Sequence, residues 1–249
     1  MTCTKNHYSR YFSLFYWVVV SGFILGILVG CKQLSLNSDR SAASSEKNYP
    51  VAISQMQLGL AYLAQDQKPR AKQKLLKALD LAPQCPEVNA AMAYFWEMTG
   101  EPALARKLYK KSLSLDPHHG APCNNYAAFL CRQKDYAGAE KYFLQAVSDP
   151  KYINSAIAYE NAGICMEQAK NFQKAIYYYE KALQQDSSRK LALKALVRLQ
   201  LRFNQPKRAL LWIQRYNLQI VNDPELLTIA REVARKTHYA QLGSDYYEL

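Results

Sequence analysis

Small and bulky apolar positions recur along the chain as a fixed set. An alanine is followed four positions later by a bulky apolar residue, then by a small residue, then by a proline. The set occurs at Ala71, Leu75, Ala78 and Pro83, at Ala105, Tyr109, Ser112 and Pro117, and at Ala139, Phe143, Ala146 and Pro150. Ala175, Tyr179 and Ala182 make a fourth instance and Ala209, Ile213 and Tyr216 a fifth, so the alanines stand 34, 34, 36 and 34 residues apart. Such a period marks a repeat architecture. A second helical half precedes each set, for example Leu58, Gly59 and Tyr62, then Tyr126, Ala127 and Leu130, then Ala162, Gly163 and Met166. The pattern predicts antiparallel helix pairs, in which small residues let backbones approach to ~8 Å while the bulky residue fills the groove to the next pair. Gly100, Asn171 and Asn204 fall at similar turn positions. Pro83 and Pro117 end second helices, because proline disfavours helical geometry in the residue before it. An irregular helical bundle is the alternative, but it gives no reason for a constant period.

The set resembles the tetratricopeptide repeat. That resemblance implies an all-α fold, an α-solenoid of helix-turn-helix repeats, with five repeats in residues 50–223 (near 52–85, 86–119, 120–153, 156–189 and 190–223). Residues 224–249, with Leu226, Leu227, Ile229, Ala230 and Val233, read as a C-terminal capping helix and tail, since a terminal repeat needs an altered outer face. By the geometry of that repeat, positions two, five, nine and twelve of each first helix line a concave trough. In the first repeat these are Ile53, Met56, Leu60 and Leu63, all apolar; the second supplies Glu87, Ala90, Tyr94 and Glu97, and the fourth Ile157, Glu160, Ile164 and Glu167. With Asn124 from the third repeat, the candidate partner-binding residues are Ile53, Met56, Leu60, Leu63, Tyr94, Asn124 and Glu160. An exposed apolar patch at one end of a trough fits a partner segment; the other reading is that the chain before Pro50 folds back over it.

The first residues differ from the rest. Met1 to Arg10 is polar with Lys5 and Arg10, and Tyr11 to Val29 is almost wholly apolar, the order of a secretory signal. The stretch closes on Leu28-Val29-Gly30-Cys31, which resembles the lipobox of bacterial lipoproteins. The resemblance implies that residues 1–30 are a signal peptide and that Cys31 carries lipid. A transmembrane anchor is the competing reading, since an apolar run of this length can span a bilayer. Lys32 stands where an aspartate would retain such a lipoprotein at the inner membrane, which implies the outer membrane. Residues 31–49, rich in Ser and Ala, read as the lipidated cysteine and a flexible tether.

Composition agrees with a packed body: 249 residues, 49% apolar and 21% charged, exclude a disordered or fibrous chain. The formal charge of +12 hints at an acidic partner, but a periplasmic location makes nucleic acid an unexpected one. Basic clusters at Lys72, Lys74 and Lys77 and at Arg106, Lys107, Lys110 and Lys111 fall on second helices, the outer wall. No catalytic set emerges. His118 and His119 sit after Pro117 in a turn, and neither a Gly-rich phosphate loop nor His-Glu-x-x-His is present. No enzyme activity, cofactor, metal or small-molecule substrate is expected. Cys85, Cys123, Cys131 and Cys165 lack the close pairs of a zinc site. Cys123 and Cys131, on one helix and ~12 Å apart, cannot bond. Cys131 and Cys165 lie near the ends of neighbouring first helices and can meet, as a disulfide or as two small buried side chains; Cys85 with Cys123 stays open.

Two segments narrow the family. Cys123-Asn124-Asn125-Tyr126-Ala127-Ala128-Phe129-Leu130-Cys131 and Ala158-Tyr159-Glu160-Asn161-Ala162-Gly163-Ile164-Cys165 resemble segments of the type IV pilus biogenesis and stability lipoproteins, the PilF/PilW pilotin group. With the lipobox and the repeats, the likeness spans nearly the whole chain; Ala127 replaces a glycine of that family's pattern. The resemblance implies a bonded Cys131–Cys165 pair. It also implies an outer-membrane lipoprotein that binds the secretin subunit, aids its localisation and multimerisation, and supports pilus stability. The alternative is a repeat-containing lipoprotein adaptor in outer-membrane protein assembly or cell-wall enzyme regulation.

Overall fold

The five repeating alanines, Ala71, Ala105, Ala139, Ala175 and Ala209, are each wholly buried where two helices cross. In the computed structural model, which describes residues 48–216 and 223–238, helix follows helix with no strand among the described residues. The expected signal peptide, the lipidation site Cys31, nearly all of the tether and the tail beyond His238 lie outside the described residues. The first pair is α1 (residues 48–64) and α2 (Lys68–Leu81). Then come α3 (Pro86–Met98) and α4 (Pro102–Leu115), α5 (Gly120–Arg132) and α6 (Tyr136–Val147), and α7 (Ser155–Gln168) and α8 (Phe172–Gln185). The last pair is α9 (Lys190–Arg202) and α10 (Pro206–Arg215), and α11 (Pro224–Thr237) packs on both of them.

Every turn within a pair is three residues long, and its middle residue is left-handed: Asp66, Gly100, Lys134, Lys170 and Asn204 have φ of 56°, 87°, 64°, 59° and 53°. In the fourth pair the left-handed residue is therefore Lys170. Asn171 is the N-cap of α8, its side chain accepting from the Lys174 amide at 3.3 Å. Connections between pairs are four residues long at 82–85, 116–119 and 186–189 but seven at 148–154; with α6 two residues shorter than α2, α4 and α8, and α7 one longer than α3, α5 and α9, this gives the single step of 36. In that longer connection Tyr152 lies over Gly120, and Asp149 accepts from the Gly120 amide at 2.9 Å, holding the start of α5.

Close helix approach explains the small residues of the first helices. A Cβ on Gly163 would stand 2.6 Å from the Tyr179 ring, and one on Gly59 would stand 2.7 Å from Leu75 Cγ. Facing residues are also matched in polarity. Tyr109 donates its hydroxyl to Glu97 at 3.1 Å and Tyr179 to Glu167 at 3.0 Å. At the equivalent place in the third pair the acid is replaced by Cys131 and the tyrosine by Phe143, so no buried hydroxyl is left without an acceptor. Leu63 with Leu75, and Leu201 with Ile213, complete the series with apolar matches.

Burial first, and then the facing carboxylates, hold the Tyr109 and Tyr179 phenols well above the ordinary tyrosine range. A folded pKa raised above the unfolded one gives stability that is whole below pH ~10 and is lost as pH rises towards the folded value. The melting temperature should therefore hold up to pH ~9.5 and fall above it. The pair of replacements Tyr109→Phe and Tyr179→Phe should flatten that alkaline fall, and an unchanged slope would contradict the assignment.

Candidate partner-binding trough

The first helices α1, α3 and α5 enclose an open trough of about 660 Å³. Met56, Leu60 and Leu63 come from α1, Ala90, Tyr94 and Met98 from α3, and Asn124 and Ala128 from α5. Tyr94 is 38% and Met98 50% exposed, so two large apolar side chains stand open on this floor among the described residues. Glu87, Arg132 and Asn161 edge this floor with polar groups. The Arg132 guanidinium grips Glu97 in a two-point pair (2.6 and 2.9 Å), and Glu97 also accepts from Tyr109, so that carboxylate is fully engaged. Asn124 accepts from Asn161 Nδ2 at 3.1 Å.

Five of the seven residues expected to bind a partner therefore meet here: Met56, Leu60, Leu63, Tyr94 and Asn124. Ile53 and Glu160 do not. Ile53 packs at the junction of α1, α2 and α3 against Ala52, Ala78, Ala82, Cys85 and Val88. Glu160 is buried at 4% exposure and holds α9 in place: it pairs with Arg189 and accepts from the Ala192 amide at 3.1 Å. It thus caps, from the preceding pair, a helix end whose amides have no partner within the helix. Met98 and Asn161 line the trough without having been expected; Met98 is the last residue of its helix, beyond the four positions used to define the lining.

Further along the same face a second hollow of about 870 Å³ is charged. Lys190, Lys194 and Arg198 of α9 face Asp223 and Glu225 at the start of α11, with Lys194 2.6 Å from Glu225 and 3.1 Å from Asp223. The trough therefore runs from an apolar end to an ionic one, and the ionic end is internally paired.

Cys131 and Cys165 meet across α5 and α7 at disulfide distance, with Cα atoms 5.7 Å apart. Cys85 and Cys123 are free, not bonded to each other, and both are buried. Burial, with Glu87 near Cys85 and Asp116 near Cys123, pushes each thiol up to about 11, so neither is a poised nucleophile at neutral pH. Among the described residues no cluster of three or more His, Cys, Asp or Glu could hold a metal ion, and no helix is long and apolar enough to cross a membrane.

Comparison with known families matches the tetratricopeptide repeat over residues 56–120, 122–188 and 166–232. The chain is a tetratricopeptide repeat protein. It is also homologous to a type IV pilus assembly protein, PilF of Pseudomonas aeruginosa, with 34% identity over 166 residues covering 65% of this chain and 64% of that one. The matched region is thus just under two thirds of that relative's length. A solved structure of Pseudomonas aeruginosa PilF superposes with a TM-score of 0.66 at 26% identity, over 80% of this chain and 90% of that one. The crystal structure of PilW, described as a widely conserved type IV pilus biogenesis factor, gives 0.62 at 25% identity over 79% and 90%. These repeats stack first helices towards one face, which is how residues as far apart in sequence as Leu60 and Asn124 come to share a trough.

Proposed function

We propose that this protein is a non-enzymatic, outer-membrane lipoprotein scaffold of type IV pilus biogenesis, and that the apolar end of its trough captures a segment of the secretin subunit. Cys31 carries the acyl chains, residues 31–49 are the leash, residues 50–223 are the five repeats and residues 224–249 cap them. The observation that carries this reading is the open apolar floor of Met56, Leu60, Leu63, Tyr94 and Met98, together with homology to pilus assembly factors. An apolar floor supplies affinity without chemistry, and amides at its edge, such as Asn161, can hydrogen-bond the backbone of a bound segment. A bonded Cys131–Cys165 pair fixes the wall beyond it.

Leu60→Glu places a charge on that floor. Copurification of the secretin subunit from detergent-solubilised envelopes should fall at least about tenfold, the effect of desolvating one unpaired charge in an apolar contact, while circular dichroism still shows the helical fold. Wild-type capture by a folded Leu60→Glu protein would reject the trough as the binding surface.

A further inference from the structure

The outer wall is not evenly charged. Helix α2 carries Lys68, Arg70, Lys72, Lys74 and Lys77 against Asp80 alone, and α4 carries Arg106, Lys107, Lys110 and Lys111 with no acid. Some of these charges are occupied: Lys68 reaches Asp66 at 3.2 Å, and Lys72 and Arg106 lie over the Trp96 and Phe129 rings at 4.9 and 5.1 Å. Lys74, Lys77, Lys107, Lys110 and Lys111 have no ion-pair partner among the described residues. Elsewhere Lys174 is neutralised by Glu140 and Lys194 by Asp223 and Glu225, and α10 carries three bases against the five of α2 and four of α4. Two leucines on the same helices stand out into solvent, Leu76 at 45% and Leu104 at 43% exposure.

Position sharpens the point. The start of α1 packs beside the end of α2, where Ala52 meets Ala78 and Ala82. The basic wall therefore adjoins the end of the solenoid at which the chain arrives from the proposed anchor at Cys31. Unpaired lysines interleaved with exposed leucines, next to a membrane attachment, match the surface of an anionic bilayer: ammonium groups meet headgroup phosphates and leucines enter the interface. A tether adds to this by holding the wall at high local concentration beside the membrane.

We infer that the outer wall of α2 and α4 lies on the anionic phospholipid surface to which the protein is anchored, leaving the trough turned away from the lipid and open to its partner. The inference rests on the lipid-anchored reading of Cys31 given above.

The test is lysine footprinting of the mature full-length protein, purified from membranes and reconstituted into nanodiscs of phosphatidylcholine alone or with phosphatidylglycerol. Acylation of Lys74, Lys77, Lys107, Lys110 and Lys111, read by mass spectrometry, should be roughly fivefold slower in the anionic discs and recover in high salt. Lys170 and Lys207, exposed elsewhere, should react alike in both. Equal labelling of the wall in both lipids by a disc-bound protein would overturn the placement and leave the anchor standing. Protection that appears only on adding the secretin subunit, whatever the lipid, would also overturn it and make the wall a protein contact. A mature chain that joins neither disc would remove the anchor and this placement together.

Discussion

Glu160→Ala is expected to lower the free energy of unfolding by about 3 kcal/mol, at the lower end of what breaking a buried ion pair costs. The carboxylate is buried, pairs with Arg189 and accepts the Ala192 amide at the start of α9. Truncation leaves that amide without its acceptor and the guanidinium without its ion-pair partner, with only the weaker attraction of Asp186 remaining. Arg189, with 26% of its side chain exposed, can recover part of its solvation, and this keeps the loss below the upper limit. Glu160→Gln retains an acceptor for Ala192 and should lose about half as much. Denaturant titration of the three proteins measures the series. An alanine variant within about 0.5 kcal/mol of wild type, the usual range for a surface substitution, would return Glu160 to the trough as a binding residue.

Removing the proposed Cys131–Cys165 bond, by Cys131→Ala with Cys165→Ala or by reductant, should cost about 3.8 kcal/mol. That is the chain-entropy value for closing a loop across the 34-residue separation. The link lies where it matters most. It joins first helices of the third and fourth pairs, the only junction whose connection among the described residues runs to seven residues instead of four. A regular four-residue connection fixes the stacking angle of the next pair more tightly than a longer one, and a covalent tie at this place would restore that fixity. Equal stability of the oxidised and reduced proteins would show that helix packing alone sets this junction.

The solenoid was legible because its cause is local. Alanine at each crossing and a bulky residue one turn later are demanded by helix approach distance alone, so their period survives in the sequence at Ala71, Ala105, Ala139, Ala175 and Ala209. The trough was legible in part for the same reason: positions on one face of α1 and α3 follow from helical periodicity. Ile53 and Glu160 escaped that logic because their neighbours come from other elements. Glu160 lies on the expected face, but Arg189, 29 residues further on in an inter-pair connection, draws it into the core. A carboxylate in the first helix of one pair and an arginine just before the first helix of the next is the signal that would have revealed it. Likewise the matched exchange of Glu97 and Tyr109 for Cys131 and Phe143 is written in the sequence, and becomes readable only once the two helices are known to face each other.

Whether the trough holds a partner is tested most directly by photocrosslinking in intact cells, with benzoylphenylalanine placed singly at Tyr94 on the trough floor or at Tyr177 on the outer wall. Irradiation should join the Tyr94 variant to the secretin subunit and leave the Tyr177 variant unlinked to it. A secretin adduct from Tyr177 with none from Tyr94, in proteins equally abundant and folded, would contradict the trough as the site of capture.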